Sequence, residues 1–168
     1  MKYLFLSLLL IPAVVTAQVS DSTDSANATV FFIVRHAEKN MQESSSDPSL
    51  SPEGSARAAR LAAHLRNVGL TAVYATRTKR AMLTAAPTAE NESLKVLPYG
   101  NDLAAETARF LDIHRGKRLL VVGHSNTVPL MLNILTKTGS YTPNEDYDAL
   151  YMVILAKAQP AEVVLLRY

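Results

Sequence analysis

The sequence predicts an α/β protein, a three-layer α/β/α sandwich with a mostly parallel central sheet. Two apolar runs, at residues 30–34 and 119–122, contain no charged side chain, which is typical of strands buried on both faces. Segments with the 3.6-residue periodicity of amphipathic helices lie between the predicted strands. Strands that alternate with helices indicate βαβ units, and therefore a sheet covered by helices on both faces.

Composition and the first residues suggest an exported protein of one domain. Residues 1–17 are predicted to be a signal peptide. Lys2 precedes an apolar run, and the small residues up to Ala17 fit a cleavage site directly after Ala17. An uncleaved membrane anchor is the alternative, although the run is short for a membrane span. The polar residues 18–28 are predicted to be a flexible leader, and residues 29–168 one domain. We therefore expect a secreted or periplasmic protein without stable membrane insertion after cleavage.

The composition also argues against several classes of function. The formal net charge is +2, so no basic excess points to nucleic acid as a partner. The sequence has no cysteine, which excludes disulfides, thiolate catalysis and metal ligation by thiolates. Only four histidines are present, and no two are three or four residues apart. We therefore expect no metal site and no other cofactor.

The first strand is predicted over residues 29–35, and a polar loop over residues 39–50 follows it. A loop directly after a strand end is well placed to line a site. Ser51 can then cap a helix whose first position suits Pro52. Gly69 is predicted to end this helix.

The remaining elements follow from the same patterns. Pro98 is expected to close the third strand, and Asn101 or Asp102 to cap the helix after it. The last two strands should be antiparallel to each other, because a short turn joins them. In order, we predict a strand at 71–75, a helix at 76–89, strands at 94–97 and 119–124, a helix at 126–137, and strands at 151–155 and 163–166.

Two of the buried strands end in histidine. Arg35 and His36 follow the first apolar run, and His124 follows the run that ends at Gly123. If these strands are parallel neighbours, they lie ~4.8 Å apart and end at the same edge of the sheet. Ligands of open α/β sheets bind at that edge. The helix after His124 would also direct its free N–H groups there, which favours an anion site.

The expected pocket suits a tetrahedral dianion. Arg35 and Arg80 would supply two guanidinium groups, whose paired N–H groups match phosphate oxygens. A neutral nitrogen of His36 or His124 can attack phosphorus and carry the phosphoryl group. No metal is needed if arginine offsets the charge on the oxygens. Each residue alone is more often a solvated or structural side chain, so the prediction depends on the joint pattern.

Four motifs, in this order along the chain, resemble the histidine phosphatase superfamily, the branch that includes phosphoglycerate mutase-like proteins. The resemblance implies a three-layer α/β/α fold and His36 as the phosphorylated nucleophile. It also implies that Arg35, Arg80 and His124 bind the phosphate. The motifs are Arg35-His36-Ala37-Glu38, Leu50-Ser51-Pro52-Glu53-Gly54, Arg80-Ala81-x-x-Thr84-Ala85 and Gly123-His124-Ser125-Asn126.

The general acid is not set by these motifs. Mutase-like members of the family use a glutamate after the third strand, where this chain has Asp102 and Glu106. Asp102 is the candidate, because it lies nearest the predicted strand end. A general acid can also be missing. If the substrate is a phosphohistidine or an acyl phosphate, its leaving group departs without much help from a proton.

The sequence therefore predicts a metal-independent phosphatase that hydrolyses a phosphomonoester or a phosphorylated residue through a phosphohistidine intermediate. Its partner would be a phosphorylated small molecule or a phosphoprotein. A module that binds phosphorylated ligands without turnover is one alternative. A phosphoglycerate mutase-type phosphotransferase is another, less favoured because the chain has no long insertion to cover the site.

Overall fold

The structure is a computed structural model that describes residues 27–168. The predicted signal peptide and most of the predicted leader lie outside these residues. Within the described range, no helix is long and apolar enough to cross a membrane.

In the described residues, four strands alternate with four helices, and a final pair of strands follows. Their bounds are β1 Thr29–Arg35, α1 Pro52–His64, β2 Ala72–Thr76, α2 Lys79–Asn91, β3 Val96–Tyr99, α3 Leu103–Ile113, β4 Arg118–Gly123, α4 Thr127–Thr136, β5 Ala149–Leu155 and β6 Glu162–Arg167.

All six strands form one sheet in the order β3-β2-β4-β1-β5-β6. β1 is parallel to β4, and Arg35 pairs with Gly123, so the two strands end at the same level. β2 is parallel to both β3 and β4. β5 is antiparallel to β1 and to β6. The predicted parallel pairing of the first and fourth strands and the antiparallel final pair are both confirmed.

β1 is buried on both faces, as its apolar run predicts. Phe31 and Ile33 pack in the cluster on one face of the sheet, together with residues of α3 and α4. Phe32 and Val34 pack on the other face, together with residues of α1 and α2. Burial of each such side chain contributes about 1.5–3 kcal/mol. The three-layer α/β/α sandwich is therefore confirmed, with β1 fixed from both sides.

The helix α1 begins as predicted but ends earlier. Pro52 occupies its first position, and the hydroxyl of Ser51 accepts a hydrogen bond from the Gly54 N–H. The helix ends at His64 rather than near Gly69. Residues 65–67 form a turn instead, in which Asn67 has a φ of 65°.

Pro98 lies inside β3 rather than closing it. The strand spans Val96–Tyr99, and Pro98 pairs in register with Ala75 of β2. This is possible because β3 is an edge strand. Proline has no N–H to donate, and on the outer side of β3 there is no further strand that needs such a donor.

Gly54 lets α1 approach the backbone that follows His36. A Cβ at this position would lie 2.2 Å from the carbonyl oxygen of Glu38, so that the helix or the chain after β1 would have to move. We expect Gly54→Ala to lower the free energy of unfolding by about 1–3 kcal/mol. Urea unfolding followed by circular dichroism measures this change.

Gly139→Ala is the matched control for that substitution. A Cβ at Gly139 would meet no atom within 4 Å. We therefore expect its unfolding free energy to stay within about 0.5 kcal/mol of the wild type. Equal stability of the two variants would show that the contact between α1 and Glu38 is not tight.

Candidate functional site

The ends of β1 and β4 bring two histidines together. The N–H of His36 donates to the carbonyl of Gly123 at 2.9 Å, which extends the pairing of the strands by one residue. The ring centroids of His36 and His124 are 5.1 Å apart, with 71° between the planes. A Cβ at Gly123 would lie 2.7 Å from the Thr127 hydroxyl, so glycine permits this close turn into α4.

These histidines line a cavity of about 420 Å³ at the carboxyl ends of the strands, which we call the strand-end pocket. It is rich in positive charge and in hydrogen-bond donors, as a site for an anion requires. Its lining comes from the ends of β1 and β4, the start of α2 and the residues that precede α4. The lining residues are Arg35, His36, Lys39, Arg80, His124, Ser125 and Asn126.

The contacts of His36 set which of its nitrogens can react. Nδ1 lies 2.8 Å from the carbonyl oxygen of Ala37, which can only accept, so Nδ1 carries the proton. Nε2 accepts a hydrogen bond from Nε of Arg80 at 3.1 Å. Nε2 therefore holds a lone pair that faces the arginine. An electrophile bound to Arg80 would lie next to this nitrogen, and the hydrogen bond from Nε of Arg80 must break before the lone pair can attack it.

The surroundings of His36 keep the imidazole neutral. Burial lowers its pKa to about 4, even though the hydrogen bond to Ala37 acts to raise it. The neighbouring His124, Arg80 and Arg35 also disfavour a positive charge on the ring. A neutral imidazole is the nucleophilic form, so across the physiological pH range the ring of His36 is in the protonation state that a nucleophile requires.

We expect the imidazole of His36 to titrate with a pKa of about 4 rather than near its ordinary value of 6.5. The neutral fraction then falls only as the pH drops through about 4. Arg80→Gln should raise this pKa, because a positive charge beside the ring is lost, while burial keeps it below 6.5. NMR titration of the imidazole signals, assigned with His36→Ala, measures both values. A wild-type midpoint near 6.5 would contradict the expectation.

Arg80 is held by a loop as well as by His36. Its Nη1 lies 3.2 Å from Oδ1 of Asp47, in the loop between β1 and α1. Both oxygens of the same carboxylate accept from the N–H of Lys79, at 3.0 and 3.1 Å. Asp47 thus caps the start of α2, where the helix dipole favours a negative charge. It also orients the guanidinium towards the pocket.

Arg35 is held by the loop that precedes β5. Its Nη1 lies 2.7 Å from Oε2 of Glu145, and its Nη2 donates to the hydroxyl of Tyr147 at 3.3 Å. The guanidinium carbon lies 4.1 Å from the centre of the Tyr147 ring, which adds a cation–π contact. These contacts fix the plane of the guanidinium beside His36.

His124 is oriented by two threonines. The ring nitrogen Nε2 lies 2.9 Å from the hydroxyl of Thr76 at the end of β2. The backbone N–H of His124 donates to the hydroxyl of Thr127. Burial lowers the pKa of His124, and Arg80 and Arg35 lower it further, while Asp47 acts in the opposite direction. Because Nε2 is engaged with Thr76, Nδ1 is the nitrogen that remains for a ligand.

Thr84 joins the first strand to the second helix inside the site. Its hydroxyl accepts from the N–H of Ala37 at 2.9 Å and donates to the carbonyl of Arg80 at 2.7 Å. The side chain is fully buried. One hydroxyl therefore fixes the distance between the residue after His36 and the helix turn that carries Arg80.

Neither acidic candidate after β3 lines the strand-end pocket. The carboxylate of Asp102 is exposed and accepts from the N–H of Ala105, as the cap of α3. Glu106 accepts from the N–H of Gly100 at 2.8 Å and forms an ion pair with Arg109. Although partial burial acts to raise the pKa of Glu106, these two contacts hold it below its ordinary value. The role of Asp102 as general acid stays a prediction.

The structure adds contacts to the site that sequence reasoning missed. Asp47, Glu145 and Tyr147 come from polar loops without periodicity, so only the folded chain shows that they reach the arginines. Thr76 ends a buried strand next to the strand that ends in His124. That position was the one available signal, because a polar residue at a strand end often faces the site.

The comparisons with known proteins agree with this geometry. Residues 31–99 match the model of the histidine phosphatase superfamily (branch 1). The fold is similar to that of the proposed phosphohistidine phosphatase SixA from Nakamurella multipartitia, with a TM-score of 0.65 and 22% identity over 86% of this chain and 98% of that one. No curated protein matches the sequence significantly.

Two further solved structures share the fold at lower identity. The protein histidine phosphatase SixA complexed with tungstate has a TM-score of 0.67 and 20% identity, over 82% of this chain and 96% of that one. A phosphoserine phosphatase mutant from Entamoeba histolytica, in complex with phosphoserine, has a TM-score of 0.65 and 13% identity over the same shares. At these identities the likeness establishes the fold.

Proposed function

We propose that this chain belongs to the histidine phosphatase superfamily and that it is a metal-independent phosphatase. It would hydrolyse a phosphomonoester or a phosphorylated residue, carried by a small molecule or by a protein. His36 would be the nucleophile, and Arg35, Arg80 and His124 would bind the phosphoryl oxygens. We further propose that the protein acts outside the cytoplasm, on the strength of the signal-like residues 1–17.

One observation carries the proposal. The unprotonated Nε2 of His36 accepts a hydrogen bond from Nε of Arg80, while Ala37 holds the proton on the opposite nitrogen. A phosphate bound to Arg80 would therefore lie within reach of the attacking lone pair. This arrangement supports nucleophilic attack by His36 better than a purely structural role, because a structural imidazole needs no guanidinium at its free nitrogen.

The reaction would take two steps. In the first, Nε2 of His36 gives up the hydrogen bond from Arg80 and bonds to phosphorus, while the bond from phosphorus to the leaving group breaks and its electron pair leaves with that group. Ala37 keeps the proton on Nδ1, so the phosphorylated ring is cationic and is itself a good leaving group. In the second, a water oxygen bonds to phosphorus and releases a proton to the solvent, the N–P bond breaks, and the electron pair returns to Nε2. The guanidinium groups offset the charge on the phosphoryl oxygens throughout.

Protonation of the leaving group is where the proposal divides. Asp102 would donate this proton only after release from the start of α3, and Glu106 is held in the charged form by Arg109. These contacts favour leaving groups that need little protonation, such as an aryl or acyl oxygen or an imidazole nitrogen. An alkyl phosphate would need the help of Asp102.

Hydrolysis of p-nitrophenyl phosphate by the purified protein tests the function. We expect release of nitrophenol and orthophosphate at the same rate with and without a chelator, because arginine supplies the positive charge. A rate that falls to background with the chelator and recovers with a divalent cation would contradict the metal-independent mechanism.

A binding module without turnover is the second candidate. The observation in its favour is that neither Asp102 nor Glu106 lines the strand-end pocket. It predicts that tungstate or orthophosphate binds, measured by calorimetry, while neither p-nitrophenyl phosphate nor acetyl phosphate is hydrolysed. Hydrolysis of either compound excludes it.

A further inference from the structure

A second cavity, of about 500 Å³, opens beside the strand-end pocket; we call it the side pocket. The two cavities share His124 and Asn126. The side pocket lies between the ends of β2 and β3 and the first turns of α3 and α4. A group attached to a phosphate in the strand-end pocket can therefore extend into it without leaving the protein surface.

The other neighbouring cavity is too narrow for that purpose. It shares Arg35 and Ser125 with the strand-end pocket but has a volume of only about 20 Å³. A cavity needs about 10–15 Å³ to hold one water molecule, so this one has room for little more. Comparing these two cavities of residues 27–168, the side pocket is the one with space for the body of a leaving group.

One wall of the side pocket is apolar. Tyr99 and Leu103 form its buried part, and Leu130 of α4 lies beside them with 52% of its surface exposed. When the apolar surface of a ligand covers such an exposed leucine, burial of the leucine side chain stabilises the complex. No carboxylate of residues 27–168 lines this cavity.

A cation also lines the side pocket. Arg77 lines the side pocket, and no carboxylate of the described chain forms an ion pair with it. The neighbouring Arg80, in contrast, is paired with Asp47. Arg77 would therefore attract a negative charge on a group that enters the pocket and repel a positive one.

We infer that the side pocket binds the leaving group, and that the substrate is a phosphorylated compound whose leaving group joins an apolar body to a negative charge. This inference rests on the proposed phosphatase function. Arg77 and Leu130 select the substrate in this account, whereas His36, Arg80 and their neighbours carry out the phosphoryl transfer.

Three aryl phosphates that differ in charge test the inference. They are phenyl phosphate, 4-carboxyphenyl phosphate and 4-(aminomethyl)phenyl phosphate. We expect the wild-type kcat/KM to favour the carboxylated ester over the cationic one by about tenfold, as two exposed-charge effects of roughly threefold each combine. Arg77→Gln should reduce this preference to near its intrinsic chemical value, and the ratio between the two charged esters, not the rate with phenyl phosphate, is the measured quantity. Comparing the ratio between variants cancels differences in intrinsic reactivity.

Two further variants complete the design. Arg66→Gln removes an exposed arginine that lines none of these cavities, and it should keep the preference of the wild type. Leu130→Ser should raise the KM for phenyl phosphate about threefold, because apolar contact is lost. The effect on the KM for acetyl phosphate should be smaller, because its small leaving group makes less contact with Leu130.

An unchanged charge preference in Arg77→Gln, or an equal loss in Arg66→Gln, would overturn the inference. If no ester is hydrolysed, the proposed function has failed, and the dissociation constants of the same three esters then decide. Tighter binding of the carboxylated ester that depends on Arg77 would still support the side pocket. Equal binding of all three would refute it.

Discussion

His36→Ala should lower the rate of p-nitrophenyl phosphate hydrolysis by at least about 10³-fold, because the variant has no nitrogen to accept the phosphoryl group. The loss should appear in kcat and persist at saturating substrate. Binding of tungstate should survive in part, since Arg35, Arg80 and His124 remain in place. Steady-state kinetics together with calorimetry separate these two effects.

His64→Ala is the matched control. His64 ends α1 on the surface, where its Nδ1 contacts the carbonyl of Arg60, and it lines none of the cavities near the strand ends. We expect its kcat and KM to equal those of the wild type. Activity that survives in His36→Ala, or that falls equally in both variants, would show that His36 is not the nucleophile.

Arg80→Lys should lower kcat/KM by about 10²-fold, although the charge is kept. A lysine ammonium lacks the planar pair of N–H groups that matches two phosphate oxygens, and it cannot place them at a fixed distance from the Nε N–H that orients Nε2 of His36 before substrate binds. The ion pair with Asp47 would also have to form at a different distance. Most of the loss should be in kcat, because the attacking nitrogen and the phosphate are no longer aligned by one side chain.

Arg66→Lys provides the comparison for this substitution, since Arg66 is exposed and away from the strand-end pocket. Its kinetic constants should match those of the wild type. If Arg80→Lys were within about threefold of Arg66→Lys, positive charge alone would be sufficient at this position. The proposed alignment of His36 by Arg80 would then be wrong.

The centre of the fold could be predicted because its physical cause is local. An uninterrupted apolar run is compatible with burial on both faces of a sheet, and residues 30–34 and 119–122 are such runs. The placement of His36 and His124 followed from where these runs end. Their pairing at 5.1 Å then needed only that β1 and β4 be parallel neighbours.

The contacts that orient the arginines could not be predicted in this way. Asp47 and Glu145 lie in polar loops, whose paths depend on the whole surface rather than on a period in the sequence. Glu145 is 110 residues away from Arg35 along the chain, and Asp47 is 33 residues away from Arg80. Thr84 was visible as part of a motif, but its bridge between Ala37 and Arg80 appears only when α2 packs beside β1.

Asp102 shows the limit of choosing an acid by its position. It lies next to the end of β3, but a short polar side chain before a helix is also the preferred cap, and the structure uses it in that way. Proximity to a strand end does not decide between these roles, because both occur at the same point of the chain. The hydrogen bond to Ala105 directs its carboxylate along α3.

The central claim is covalent transfer of the phosphoryl group to His36, and trapping the phosphorylated protein tests it most directly. The protein is mixed briefly with a radiolabelled aryl phosphate, denatured, and mapped by mass spectrometry under alkaline conditions. We predict a phosphate that is labile in acid, stable in base and located on His36. Continued hydrolysis without any labelled protein, or a label on a residue other than His36, would contradict the mechanism.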